Sequence, residues 1–592
     1  MKDDLLMLLH DSHNPFFRQP AGPAPAGSTV VIRFQSDEAS AVILRTWMKE
    51  ELSYSMTFDG NKTYEAAVTL PEEPGLFWYD FLVYRKDGHT LRYVNAPDMM
   101  GGVGQVHREG EVHSYQITVY KPSYHTPAFM HSANIYQIFP DRFWRAKTAS
   151  VDDRTDRHIH QSWDEDLLTD SDPRSGDHMA LDFFGGTLTG VQEKLPYLKS
   201  LGVDVIYLNP IFRARSNHRY DTGDYTQIDP LLGTEEEFRQ LCEAAKKLDM
   251  HVMLDGVFSH TGEDSRYFNH FGHYDTVGAY QSKESPYYDW YTFKKFPDEY
   301  ACWWGIPSLP ECRKDNPDYQ KFMFQDKTGI VPRWIHAGSS GWRLDVADEL
   351  SMDFLRKLRT AAKKARRDAV VLGEVWEDAS NKVAYGQVRC YCAGDTLDSV
   401  MNYPLREAIL DFVTGKKPAS ALVRLVRHQA EVYPPQFRYA LMNLLGSHDR
   451  ARVLNVLCGR DGVGLPKAQQ QALRLTPEEY ALAVKRYKVC IDILCALPGC
   501  PTIYYGDEAG LTGCPDPFCR RPFPWGKEDK ELQAYVADKL TRRQRSSLLR
   551  YGLCDIDAQG DDTVVITRYM TDVDGLGRKT PSRAREVITI RR

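Results

Sequence analysis

Four short stretches of this chain hold acids and bases in a spacing that invites chemistry. They are "DGVFSH" (Asp255 to His260), "GWRLDVADE" (Gly341 to Glu349), "GEVW" (Gly373 to Trp376) and "LLGSHD" (Leu444 to Asp449). Side chains alternate across a strand, so in the second stretch Arg343, Asp345 and Ala347 share one face while Trp342, Leu344 and Val346 share the other. One face is apolar, as a strand covered by helices should be. The other sets a cation beside a carboxylate. Alone, such a pair reads as a salt bridge at a sheet edge. It gains weight because three other apolar runs also end in ionisable groups, at Asp255, at Glu374 and at His448 with Asp449.

If these runs are strands of one barrel, three central carboxylates (Asp345, Glu374 and Asp449), with Asp255 beside them, meet two histidines and an arginine at one end. That set suits glycoside hydrolysis, which needs one carboxylate as nucleophile and one protonated carboxyl to give the leaving oxygen its proton. Asp345 fits the nucleophile, because Arg343 on the same face would favour its ionised form. Glu374 fits the acid/base, because neighbouring carboxylates should keep it protonated. Asp449, His448 and His260 are placed to grip substrate hydroxyls and to tighten that grip in an oxocarbenium-like transition state. A retaining outcome needs the two carboxyls about 5–5.5 Å apart.

The elements that must position these groups can be read along the chain. Residues 1–122 alternate short β-rich runs ("STVVIRFQ", "SAVILRTWM", "LFWYDFLVYR", "HSYQITVYK") with turn chemistry such as "FDGNKT". This predicts an N-terminal β-sandwich of carbohydrate-binding-module type, followed by a linker, "KPSYHTPAF". Residues 123–549 then alternate strands with amphipathic helices, the clearest being "TEEEFRQLCEAAKKLD" with a Thr cap and an acidic first turn. Eight strand-like runs in that alternation predict a (β/α)8 barrel. No glycine-rich phosphate loop follows the first strand, which argues against a doubly wound sheet. The third and fourth strands stand too far apart for an ordinary connection, so 259–325, crowded with aromatics, is expected as an inserted subdomain over the barrel's C-terminal face. Residues 550–592 form a short C-terminal β region.

Composition limits the partners. A chain of 592 residues needs several cores. A net charge of −7 without a basic block excludes nucleic acid as the main partner. No run approaches the roughly 18 apolar residues of a membrane span, and "MKDDLLMLLHDSH" has Asp where an export signal has basic residues, so a cytoplasmic protein with reduced thiols is expected. Cys495, Cys500, Cys514 and Cys519 lack paired C-x-x-C spacing, so no metal is assigned to them. The acidic stretch 149–178 reads most simply as a solvated loop, with a contribution to a metal site as the alternative.

Taken in order, "GGTLTGVQEKLPYLKSLGVDVIYLNPIF", "HRYDTGDYTQIDP", "DGVFSH", "GWRLDVADE", "GEVW", "LLGSHD" and "GCPTIYYGDE" resemble glycoside hydrolase family 13, the α-amylase family, over residues 134–525. The N-terminal β-module and "VMNYPL" resemble its neopullulanase, cyclomaltodextrinase and maltogenic amylase branch. The resemblance implies Asp345 as nucleophile, Glu374 as acid/base and Asp449 as transition-state stabiliser. It also implies that His260, Arg343 and His448 line the sugar site, that Tyr220 stacks on the ring, that Trp376 belongs to the +1 side and that Asp255 supports the site. No organic cofactor is implied, and calcium is allowed but not required. "DRFWRAKTASVDD" lacks the branch's Asn-Gly-Asp pattern, "GGT" stands at 185–187 for Gly-Gly-Asp, and "IPSLPE" puts Glu311 where the branch has a Lys-Leu-Asn ending.

The activity expected is a retaining α-glucan hydrolase acting on α-1,4 bonds, with α-1,6 bonds as an option, in maltooligosaccharides, pullulan or cyclodextrins. The alternative is a transglycosylase using the same glycosyl-enzyme intermediate. A carbohydrate-binding homologue without catalysis would have lost Asp345 or Glu374, and both are present. The β-module is expected to pack or to form an interface, a homodimer among the options.

Overall fold

The computed structural model describes residues 7–146, 154–174, 176, 178–581 and 583–592. Its centre is a parallel sheet of eight strands: β1 (Ile135–Ile138), β2 (Val205–Leu208), β3 (His251–Gly256), β4 (Gly341–Leu344), β5 (Val370–Gly373), β6 (Ser399–Val400), β7 (Met442–Leu444) and β8 (Cys500–Tyr504). Sequential strands pair from β6 back to β1, then β1 pairs with β8 and β8 with β7. A parallel bridge from Met401 to Met442 closes the ring. The runs "IYQI", "VIYL" and "VVLG" are buried at every position. Parallel strands covered on both faces are apolar throughout, with Ile135, Val205, Met253, Val370, Leu372 and Met442 filling the lumen.

The helical layer follows from sequence just as directly. In α1 (Glu235–Lys247), Thr234 and Glu237 form a reciprocal capping box, and Phe238, Leu241, Cys242 and Ala245 face inward. Ser351 caps α2 (Met352–Ala365), while α3 (Ala419–Val432) lies between β6 and β7 in the chain and α4 (Pro477–Ala496, capped by Thr476 and Glu479) between β7 and β8. Each strand therefore points the same way, and its C-terminal end opens on one rim.

Before the barrel lie antiparallel sheets built on Thr29–Ser36, Ala39–Trp47, Thr63–Thr69, Gly75–Arg85 and Tyr115–Tyr120. Alternate residues (Val30, Ile32, Phe34; Phe77, Tyr79, Phe81) form a core separate from that of the barrel. The sheets sit on α3: Arg18, fully buried, donates at 3.0 Å to Glu431. The segment read as a linker is seated rather than loose, because Tyr124 is buried and its hydroxyl donates to the Leu397 carbonyl at 3.0 Å. Three antiparallel strands, Leu553–Gln559, Thr563–Met570 and Ala584–Arg591, end the chain and pack on α3 and α4. Among the described residues no helix is long and apolar enough to cross a membrane.

Candidate active site

Asp255 lies in β3, directly beside Arg343 of β4 in the register of the sheet. Asp345 and Glu374 are the first residues beyond β4 and β5, and His448 and Asp449 lie a few residues beyond β7. Arg343 is fully buried and ties three of these acids together. Its Nη1 donates to Asp255 at 2.9 and 3.1 Å and to Asp345 Oδ1 at 3.0 Å, while Nη2 lies 2.7 Å from Glu374 Oε2.

The expected alternation of "RLDVA" ends at Asp345. Val346 adopts a left-handed conformation (φ 38°, ψ 68°), rare for a β-branched residue. Ala347 is thereby turned into a short 3-10 segment and does not share the face of Arg343 and Asp345. The reversal aims the Val346 N–H at Glu374 Oε2, 2.9 Å away, and Trp376 Nε1 donates to Glu374 Oε1 at 3.0 Å. Both Glu374 oxygens thus have a fixed donor.

Arg343 does favour the ionised form of Asp345, as expected, but burial and then the like charge of Glu374 outweigh it and push the carboxyl well above the usual carboxylate range. Asp255 is also raised by burial. Its oxygens are taken by Tyr207 Oη (2.5 Å), Tyr220 Oη (2.7 Å) and Arg343. Tyr220 is in turn held parallel to His448, with ring centres 5.1 Å apart.

The histidines are engaged by the protein. Burial pushes His260 down to about 3, so the ring is neutral; its Nε2 faces the Tyr220 carbonyl (3.1 Å) and must carry the proton, leaving Nδ1 to accept from Ser259 Oγ (2.8 Å). A sugar hydroxyl can bond His260 only by replacing one of these partners. His448, lowered by burial and by Arg520 and Arg343, faces Gln137 Nε2 at 3.0 Å through Nδ1 and lies 3.2 Å from Asp449 Oδ1 through Nε2. Arg520 donates to the His448 carbonyl at 3.0 Å and stands 3.9 Å from Asp449.

These groups open into a cleft of about 890 Å³ that holds Asp345, Glu374, Asp449, Tyr220, His260, His448 and Trp376 in its walls. Arg343 and Asp255 lie beneath it. Trp376 stacks on Tyr403 at 3.9 Å with the Arg450 guanidinium 4.4 Å above its ring. Glu311, which stands where the branch has its Lys-Leu-Asn ending, pairs with Lys314 and bridges His260 by backbone only. Arg520, Asn209 and Val346 escaped sequence reasoning. Asn209, whose Nδ2 donates to the Tyr220 hydroxyl at 3.0 Å, is uncharged and does not stand out at its strand end, and Arg520 lies beyond the barrel strands in "PDPFCRR".

The calcium expectation turns on "DRFWRAKTASVDD". The loop's segment 147–153 lies outside the described residues. Asp141, six residues before it, accepts from the Phe184 and Gly185 amides (3.0 Å each) and from Arg142 (2.6 Å), so three donors already face its two oxygens. In the acidic stretch, His158, His160 and Glu165 come close enough to share a metal, but His160 bonds Glu165 and Asp182 at 2.9 and 3.2 Å. The four late cysteines are dispersed: Cys500 donates to the Met130 carbonyl, Cys519 to that of His448, and Cys514 packs with Leu167 and Phe518.

Residues 137–548 match the family profile described as "Alpha amylase, catalytic domain". This chain belongs to the α-amylase family. It is 35% identical over 631 residues to an amylopullulanase of Thermoanaerobacterium saccharolyticum, covering 98% of this chain and 48% of that protein. A cyclomaltodextrinase of Geobacillus thermopakistaniensis (strain MAS1) is 34% identical over 447 residues, with 74% of this chain and 66% of that protein covered. Among solved structures, the cyclic α-maltosyl-(1→6)-maltose hydrolase of Arthrobacter globiformis in complex with its namesake sugar is similar, with a TM-score of 0.63, 30% identity and 76% and 90% of the two chains covered. The chain thus spans about half the length of the amylopullulanase. The cyclomaltodextrinase places it beside the branch that "VMNYPL" suggested.

Proposed function

We propose that this chain is a retaining α-glucan hydrolase that cleaves α-1,4 and α-1,6 glucosidic bonds in maltooligosaccharides, pullulan or cyclodextrins. The observation that carries the reading is one buried guanidinium, Arg343, touching Asp255, Asp345 and Glu374 at the floor of an open cleft. A single arginine reaching both catalytic carboxyls supports the short separation of a retaining pair, about 5–5.5 Å, over the wider gap that admits a water.

Asp345 attacks the anomeric carbon, forming a C1–O bond to its carboxylate as the glycosidic C1–O bond breaks, and the Glu374 proton goes to the departing oxygen. Water then gives its proton to Glu374 and its oxygen to C1, releasing Asp345. A carboxylate that burial destabilises gains most when positive charge develops beside it, which favours the transition state over the bound sugar. The Val346 and Trp376 N–H groups fix Glu374 for both proton transfers. Asp449, steadied by His448 and Arg520, serves the ring hydroxyls, and Tyr220 supplies the ring's stacking face.

The test is time-resolved proton NMR of pullulan, maltoheptaose and β-cyclodextrin digests, with Asp345→Asn in parallel. Release of α-anomeric sugar, abolished in the variant, is expected. A β-anomer first product rules out retention. Three unchanged glucans rule out the substrate class.

A further inference from the structure

After β5 the chain builds a two-stranded hairpin, Lys382–Ala384 paired with Gln387–Arg389, whose turn is Tyr385–Gly386. Both turn residues have positive φ (51° and 71°). Such a turn favours Asn-Gly, and a tyrosine there costs backbone energy. Beside it, Trp304 of the inserted region also adopts a left-handed conformation (φ 48°, ψ 28°). Both rings are exposed, Tyr385 at 66% and Trp304 at 76%. Both also bond the same atom: Trp304 Nε1 donates to Glu349 Oε1 at 3.2 Å, and the Tyr385 hydroxyl donates to it too. Two unfavourable backbone positions, from segments 81 residues apart in sequence, thus hold two aromatic rings open to solvent on one carboxylate. Local propensity does not explain that arrangement; a ligand for the rings does.

The rings continue the active-site wall. His260 contacts Trp303 at 5.5 Å, and Trp303 stacks on Trp304 at 4.9 Å and 11°. Trp304 and Tyr385 border the same cleft as Glu374 and Trp376. The hairpin leaves β5 just after Glu374, so it stands on the side from which the acid/base protonates the departing oxygen. Its root is anchored to the N-terminal sheets: Gln116 Nε2 donates to Ser380 Oγ at 3.0 Å, and Asn381 Nδ2 donates to Gln116 Oε1 at 2.7 Å.

We propose that Trp304 and Tyr385, joined through Glu349, form a platform that stacks on the leaving portion of a glucan chain, two or more sugar rings beyond the scissile bond. This rests on the α-glucan reading above. Apolar ring faces and a shared carboxylate match the alternating faces and hydroxyls of such a chain. Glu349 and Gln116 are positioning residues, the first for the rings and the second for the hairpin.

Tyr385→Asn tests this well, because Asn suits the turn while the ring and its hydroxyl bond to Glu349 are lost. In the Asp345→Asn background, calorimetric titration with maltoheptaose is expected to show affinity falling about five- to ten-fold on Tyr385→Asn or Trp304→Ala, the scale of one lost ring contact. In active protein, the ratio of kcat/KM for maltoheptaose to that for maltotriose falls in proportion. Unchanged maltoheptaose affinity and an unchanged ratio overturn the platform while leaving the hydrolase reading intact. Binding that depends on both rings, without cleavage by otherwise unaltered protein, overturns the hydrolase reading and keeps the platform. Absence of any maltoheptaose binding overturns both.

Discussion

Replacing Arg343 by Met removes the cation but keeps most of the volume, and it leaves Asp255, Asp345 and Glu374 buried around an apolar chain. Arg343 lies within 3.0 Å of an oxygen of each. Deleting one partner of a buried ion pair costs about 3–5 kcal/mol, a large part of the roughly 5–15 kcal/mol that holds a domain folded. The sign with pH follows from linkage. Asp255 and Asp345 are already raised by burial, with Arg343 opposing; without it they rise further. Above the unfolded value of about 3.9, the folded chain then binds more protons than the unfolded one, so stability falls as pH rises. The variant's deficit should be small at pH 5, where the carboxyls take up protons, and should approach the full figure at pH 8. Urea unfolding of both proteins at these two pH values, followed by far-UV circular dichroism, measures it. A deficit that is equal at both, or larger at pH 5, refutes the reasoning. Arg343→Lys restores one charge without the fork that reaches three acids, and should recover part of the stability but not the activity.

Two further buried acids make opposite predictions. Glu508, pushed up to about 7 by burial against the pull of Tyr136 (2.6 Å) and Tyr197 (2.5 Å), costs stability as pH rises from about 4.5 through 7, up to about 3 kcal/mol. Glu508→Gln should therefore melt with the parent at pH 5 and above it at pH 8; a variant that melts lower at pH 8 contradicts this. Glu431, which Arg18 and His13 hold at about 2 against burial, contributes stability that is complete above about 4.5 and lost as pH falls towards 2. Arg18→Leu should weaken the seat of the N-terminal sheets on α3 by about 3 kcal/mol, seen as faster proteolysis within 121–129 at pH 7. Cleavage no faster than in the parent would show that the pair does not hold the sheets.

What was legible in the sequence is what strands impose on their own residues. A barrel strand is buried on both faces, so an ionisable group at its end stands out, and Asp255, Glu374 and the residues around Asp345 were visible for that reason. Partnership was not. Nothing in "GWRLDVADE" says that Arg343 reaches Glu374 as well as Asp345, or that both nitrogens of His260 face protein groups, because those contacts cross between strands. The aromatics of the insertion show the same limit. Phe268, Trp290 and Tyr291 are core, and Trp304 alone among the tryptophans of that region is largely exposed, yet sequence spacing treats them alike. The turn at Tyr385 was missed because it lacks the Asn-Gly signature, and Val346 because a β-branched residue argues for continuing the strand. In both places the local preference of the residue is overridden, and in both the override points a group at the cleft: the Val346 N–H at Glu374, the Tyr385 ring at its rim. Sequence rules fail here for the reason they succeed in the strands. They report what the backbone favours, and a site is built where binding and catalysis require something the backbone does not favour.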